Sequence, residues 1–338
     1  MAKPIKKILN DPRRAVHEML DGLVLASDGR TRRLPGVDAI VKAEIPEGKV
    51  ALLIGGGSGH EPLFHGFIGE NMGDGAACGQ FFAAPAPHIV YEAAKAVHRG
   101  KGVLFLYGNY AGDNMNFDIG AEMLADEGIE VRTLRVTDDV AAAPPERMHD
   151  RRGIAGDLLM IRVAGAAAAH LGSLDEVERV AKKAMAGLRS MGVAVLAGSI
   201  PETGKLTFEL ADDEIEIGMG AHGEAGISRQ KLGTADEITD QMMEKILADL
   251  PFRKGDEVAL LINNLGATTM MEMLVVNRRI RQILADRGIT VHRSDVGTWV
   301  TSQEMAGLSI SLMRLDAELK HYLDMPSRSV GYSSLEAK

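Results

Sequence analysis

Short, continuous apolar runs alternate along this chain with longer stretches in which apolar positions recur every three or four residues. That is the pattern of strands and helices taking turns in an α/β protein. Residues 48–54 form one such run and open into Gly55-Gly56-Gly57-Ser58-Gly59-His60-Glu61-Pro62, so a strand followed by a glycine-rich turn is predicted there. Residues 103–107 repeat the arrangement, running into Gly108-Asn109-Tyr110-Ala111-Gly112-Asp113. A helix is expected over about 116–126, which would let Asp113 cap it, and a strand over 129–136. In open α/β sheets ligands collect outside the carboxyl ends of the strands, so both loops are expected to face one crevice.

The Ala-rich stretch 154–170 and the amphipathic stretch 173–188 predict two successive helices, the second closing a first domain. Beyond it, 193–200 reads as a strand and 206–217 as a hairpin turning at Ala211-Asp212-Asp213, which delivers a second glycine-rich loop, Gly218-Met219-Gly220-Ala221-His222-Gly223-Glu224-Ala225-Gly226. Residues 257–263 form a buried strand, Thr268 is the expected N-cap of a helix with Met273, Val276, Ile280 and Ile283 on one face, and 289–296 and 308–315 complete a second α/β unit. A chain of 338 residues favours two domains, set here at 1–188, with the first glycine loop, and 189–338, with the second.

Composition narrows the function classes. A net charge of −9 offers no broad basic surface, so neither nucleic acid nor an anionic membrane is an expected partner. The pairs Arg151-Arg152 and Arg278-Arg279 read as solvated helix faces. The single cysteine, Cys78, excludes an internal disulfide framework and reads as a small buried hydrophobe in a reducing compartment. The first residues do not form a signal peptide, and no window approaches the roughly 20 apolar residues of a membrane span, so the cytoplasm is expected. Met270, Met271, Met273, Met305 and Met313 read as core filler rather than metal ligands.

Glycine lets the backbone approach a ligand closely, so the imidazoles of His60 and His222 are presented to something small rather than packed in a core. The dinucleotide spacing fails in the first loop: counted from Gly55 the third glycine position is His60, and counted from Gly57 it is Pro62. No Gly-Lys-Ser/Thr triplet follows a strand, which argues against a P-loop and leaves an oxidoreductase with an atypical nucleotide loop as a weak alternative. His60, His65 and Glu61 lack the paired helical spacing of a zinc site, and no metal is expected. There remain His60, Asp113 and His222, with backbone N–H groups nearby. An imidazole nitrogen can add to a carbonyl carbon, and a carboxylate or second imidazole can accept a hydroxyl proton, which suits a small hydroxylated carbonyl compound.

The segments Gly55–Pro62, Phe81–Pro87, Asn109–Asp113, Asn116-Phe117, His222–Glu224 and Asn263–Thr268, in this order, resemble the substrate-binding K subunit of the dihydroxyacetone kinase family over nearly the whole chain. The resemblance implies two α/β domains, each a mixed sheet flanked by helices. It implies that His222 forms a covalent hemiaminal with the ketone of the substrate. His60 and Asp113 would bind its hydroxyls and activate the terminal one, with Gly57, Ser58 and Gly59 lining the pocket. No nucleotide is expected on this chain; ATP or ADP with magnesium is implied on a separate helical L subunit, recharged by a phosphodonor protein of the phosphotransferase system. A homodimer is likewise implied. Where triose-binding members carry a lysine this chain has Gly108, which opens room for a larger ketose such as erythrulose. Some relatives of the K subunit are ligand-sensing co-activators, which gives a second reading without kinase activity.

Overall fold

Two six-stranded mixed sheets with helices on both faces organise the protein, and the computed structural model describes residues 6–335. The first sheet contains β1 (Thr31–Arg33), β2 (Ala39–Lys42), β3 (Ala51–Ser58), β4 (Gly75–Phe81), β5 (Val103–Gly108) and β6 (Val131–Val136), in the order β1-β2-β4-β3-β5-β6. Strands β4, β3, β5 and β6 run parallel, while β1 and β2 form an antiparallel edge. The second sheet contains β7 (Leu188–Leu196), β8 (Glu214–Ile217), β9 (Ser228–Lys231), β10 (Glu257–Asn264), β11 (Thr290–Gly297) and β12 (Ala306–Leu315), in the order β11-β10-β12-β7-β8-β9. Only β10 and β11 are parallel there.

Side-chain alternation on the strands sorts the helices into layers. On β5, Val103, Phe105 and Tyr107 pack with α2 (Pro87–Val97) and α3 (Ala111–Ala125), while Leu104 and Leu106 turn to the opposite face. That opposite face meets α4 (Asp157–His170) and α5 (Leu174–Ala186), and so does the inner face of the second sheet through Ala259, Leu261 and Met313. On β10, Val258, Leu260 and Ile262 face outward to α6 (Ala235–Asp249) and α7 (Met270–Asp286). Helix α4 is buried on all sides, as its Ala-rich sequence requires: a Cβ at Gly165 would lie 2.6 Å from the Cα of Met72. The tail returns to the first half after α8 (Ala317–Asp324), where Glu70 bridges Arg328.

Several local expectations are corrected. Strand β3 runs on through Gly55, Gly56, Gly57 and Ser58, because glycine permits close strand packing: a Cβ at Gly55 would meet the Ala77 carbonyl oxygen at 2.5 Å. Helix α3 starts at Ala111, so Asp113 lies in its first turn and Tyr110 is the N-cap. Strand β7 begins at Leu188 and ends at Leu196; buried Ser190 and Gly192 disguise its apolar character, the Ser190 hydroxyl donating to Ser311 Oγ at 2.7 Å. Residues 206–210 form no strand, and the hairpin is β8–β9, with the His222 loop as its connection. Thr269, not Thr268, caps α7 and forms a capping box with Glu272, while Thr268 donates to the Gly307 carbonyl.

Met273, Met305 and Met313 are buried, but Met270 and Met271 stand exposed at the start of α7. Arg278 and Arg279 are surface residues paired with Asp236 and Asp240. Arg151 and Arg152, by contrast, belong to the interior. Arg151 is fully buried against Asp249 and the Ala143 carbonyl, and Arg152 pairs with buried Asp139. Cys78 is buried and unpaired. Among the described residues no helix is long and apolar enough to cross a membrane.

Candidate active site

The carboxyl ends of β3 and β5, the N-termini of α3 and α4, and the β8–β9 connection surround one crevice enclosing about 390 Å³ of empty space, part of it open to solvent. Gly57, His60, Gly108, Asp113 and His222 all line it. Ser58 and Gly59 sit behind the wall. The Ser58 hydroxyl donates to the Gly79 carbonyl at 2.7 Å, and Gly59, at φ +109°, lies where any Cβ would strike the Phe82 ring at 2.6 Å. That ring stacks on His60, with centroids 4.8 Å apart, and meets His222 edge-on at 4.9 Å. Phe82 itself has φ +51°, a conformation that bulky residues adopt only when their surroundings enforce it.

The two histidines come together although 162 residues separate them. Their Nε2 atoms are 3.0 Å apart. His60 Nδ1 lies 2.7 Å from the Thr301 carbonyl, which can only accept, so that nitrogen carries the proton and Nε2 is left as an acceptor. His222 Nδ1 lies 2.9 Å from Glu224 Oε1, and Glu224 Oε2 accepts the His222 backbone N–H at 2.9 Å. Burial alone would raise the Glu224 pKa, but the hydrogen bond and charge of His222 outweigh it and hold the carboxyl down at about 2, so Glu224 is ionised and fixes a proton on His222 Nδ1. Two bare Nε2 lone pairs would then face each other. A hydrogen bond between them requires one further proton. Burial, reinforced by His222, lowers His60 to about 3, which keeps its Nε2 the accepting partner.

Asp113 supplies the carboxylate. Burial raises its pKa to about 6, opposed by His222 and its own backbone N–H, and its Oδ1 is buried without a partner. A carboxyl poised near neutrality can take a proton from a hydroxyl, the property of a general base. His60 belongs to the first sheet's half and His222 to the second's. The Thr301 N–H donates to the His60 carbonyl at 3.2 Å and Gln303 N–H to the Gly59 carbonyl at 3.1 Å, so the first glycine loop is stitched to the second half.

Sequence reasoning missed Glu224, Thr301, Phe82 and Arg152 as site residues. Glu224 and Phe82 stood inside the segments that carried the family resemblance, and only their roles were unread. Arg152 was misread. Its guanidinium pairs with Asp139 at 2.8 Å and donates to the Gly218 carbonyl at 3.2 Å, which anchors the loop that presents His222. His65 is buried with Nε2 3.7 Å from Glu61 Oε1, while His60 directs its nitrogens to Thr301 and His222; among the described residues no three metal-binding side chains converge.

Comparison with known proteins places this architecture. A family model described as the Dak1 domain matches residues 21–331. The dihydroxyacetone-binding subunit DhaK of a PTS-dependent dihydroxyacetone kinase 2 from Listeria innocua is 46% identical over 325 residues, covering 95% of this chain and 97% of that relative. An L-erythrulose 1-kinase from Mycolicibacterium smegmatis is 40% identical over 96% of this chain, which spans 57% of that longer protein. Among solved structures, the dihydroxyacetone kinase operon co-activator Dha-DhaQ matches with a TM-score of 0.86 at 32% identity, covering 92% of this chain and 96% of that one.

Proposed function

The chain belongs to the Dak1 family, and from that premise we propose that it is the ketose-binding subunit of a dihydroxyacetone-type kinase. His222 Nε2 adds to the ketone carbon of dihydroxyacetone or a small relative such as erythrulose. As the C–N bond forms and the C=O π bond breaks, the proton held between the imidazoles passes by way of His60 Nε2 to the former carbonyl oxygen. Glu224 balances the positive charge on the alkylated ring. Asp113 would then accept the proton of the terminal hydroxyl as its oxygen bonds to phosphorus and the phosphoryl group's bond to the departing ADP of the partner subunit breaks. Anchoring the ketose covalently supplies the positioning on which phosphoryl transfer largely depends.

The observation that carries this reading is the Nε2–Nε2 approach of 3.0 Å with Glu224 fixing the outer nitrogen. A carbonyl-labelled ketose bound to the protein is expected to show its ¹³C resonance moved from the ketone to the sp³ region, and His222→Ala is expected to abolish the shift. A bound ketose whose ketone resonance is unchanged refutes it.

The nucleotide, ATP or ADP with magnesium, is supplied by a separate L subunit recharged from a phosphotransferase-system donor. The name of the Listeria relative, a PTS-dependent binding subunit, supports that division. The chain is expected to act in the cytoplasm as a homodimer, which sedimentation of the purified protein would test. It is expected to phosphorylate nothing with ATP alone and to turn over only with the L subunit present. The likeness to the co-activator favours a second reading, ketose sensing without catalysis. Phosphorylated ketose in the reconstituted mixture decides for the kinase, and its absence with intact ketose binding decides for the sensor.

A further inference from the structure

We infer that Asp157, beside Gly108, is a specificity-determining residue that binds the additional hydroxyl of a ketose one hydroxymethylene longer than the triose. The assignment rests on the ketose reading above and adds to it a residue and a subsite.

Asp157 is the first residue of α4, and the helix is packed between both sheets, so its position is set by the core rather than by a loop. Its side chain is 3% exposed and lines the same crevice as His60 and His222. Oδ1 is buried without a hydrogen-bond partner, and no cation pairs with the carboxyl among the described residues. Its neighbour Asp138 is different: that carboxyl accepts from the N–H groups of Ile154 at 2.8 Å and Gly156 at 2.9 Å and is a structural clamp.

Three unpartnered buried oxygens line the crevice together, Asp157 Oδ1, Asp113 Oδ1 and the Tyr110 hydroxyl. Buried polar groups are rarely left unpaired, and three of them on residues that line one crevice match a ligand carrying several hydroxyls. Gly108 makes the approach possible. A Cβ there would sit 3.5 Å from Asp157 Oδ2 and 3.4 Å from the Tyr110 ring, so a side chain at this position would occupy the ground between the β5 end and the carboxyl. Burial, reinforced by Asp138 and Asp113, drives the Asp157 pKa well up, and in either form the carboxyl accepts from a hydroxyl.

The test measures the affinities of the full chain for dihydroxyacetone and for each erythrulose enantiomer, by calorimetry, in the wild type, Asp157→Ala, Asp157→Asn and Gly108→Ser. The wild type is expected to bind one erythrulose enantiomer more tightly than dihydroxyacetone. Asp157→Ala should lower the tetrulose-to-triose affinity ratio about tenfold, since a site built to hydrogen-bond a hydroxyl loses discrimination when the partner is removed. Asp157→Asn should retain most of the ratio, which a merely structural role would not require. Gly108→Ser should lower it as well by offering the carboxyl an internal partner, and this variant decides the matter if Asp157→Ala does not fold. A ratio within twofold of wild type in both Asp157→Ala and Gly108→Ser, or a wild type that prefers the triose, overturns the assignment alone. A wild type that binds neither ketose overturns the ketose reading and the assignment with it.

Discussion

Replacing Glu224 by Gln keeps the length of the side chain and an oxygen able to accept from His222, but removes the charge that the proposed capture step uses. The carboxyl titrates at about 2 instead of the ordinary 4.5. That fall corresponds to about 3 kcal/mol of preference for the ionised form, at 1.36 kcal/mol per pH unit. Solvent reaches 35% of the side chain, and screening at such an exposed pair reduces the usable part to about 1–2 kcal/mol. Glu224→Gln should therefore weaken covalent capture of the ketose about tenfold, because without the carboxylate the imidazole pair no longer holds the further proton that capture consumes, and the charge of the alkylated ring forms without its hydrogen-bonded counter-ion. Titration of the carbonyl-labelled ketose, with the sp³ resonance as the bound signal, measures this directly. Stability offers an independent check. A depressed native pKa contributes stability that is present above about pH 4.5 and lost as the pH falls towards about 2. The stability gap between wild type and Glu224→Gln in urea should therefore close over that interval. Capture within twofold of wild type, with the fold intact, would refute the role given to the carboxylate.

Four other substitutions follow from the same structure. Asp113→Asn should leave ketose capture in place while lowering phosphoryl transfer, in the reconstituted system, by roughly 10²-fold or more. In the wild type that rate should fall as the pH drops through about 6, where Asp113 takes up its proton; an acid limb unchanged in Asp113→Asn would contradict the assignment. Arg152→Ala leaves buried Asp139 unpaired and frees the Gly218 carbonyl, so it should cost about 3 kcal/mol in urea denaturation and weaken ketose binding together. Gly55→Ala must push a methyl against the Ala77 carbonyl and the Phe117 ring and should cost about 1–3 kcal/mol, whereas Gly22→Ala, with open space in the middle of α1 (Ala15–Ala26), should add about 0.5–1 kcal/mol; thermal denaturation distinguishes the signs.

Much of the fold was legible because the strands of both sheets that are buried on two faces read as continuous apolar runs. β5 and β10 fall almost where the pattern puts them. Elements were missed where composition hides them. Strand β4 is Gly-Ala-Ala-Cys-Gly-Gln-Phe, small residues that carry little hydrophobic signal but let β3 and β2 pack closely on either side. β9 is Ser-Arg-Gln-Lys, an exposed edge with no apolar face to read. The reading of 206–210 as a strand followed a true alternation, Leu-Thr-Phe-Glu-Leu, which in the structure makes only a single bridge from Leu206 to Ser199. Local pattern competes there with the absence of a neighbouring strand to pair.

The site divides in the same way, by sequence separation. His60 and His222 were legible because each is framed by glycines within a few residues, and Asp113 because it follows a second strand end. What would turn two imidazoles into the proposed nucleophile and proton carrier lies elsewhere. The tautomer of His60 is set by the Thr301 carbonyl, 241 residues away, and that of His222 by Glu224, two residues on but in a tight turn where the Gly223 N–H donates to the Gly220 carbonyl. The turn depends in turn on Arg152, whose sequence neighbours suggest only a charged surface. Chemistry-bearing residues are thus announced by local backbone requirements, while their protonation states are properties of the assembled core. The same logic singles out Asp157: an acidic residue opening an Ala-rich helix reads as an ordinary first-turn carboxylate until burial of α4 between the two sheets removes its solvent and points it at Gly108. A carboxyl so confined must find its hydrogen bonds in whatever enters the crevice.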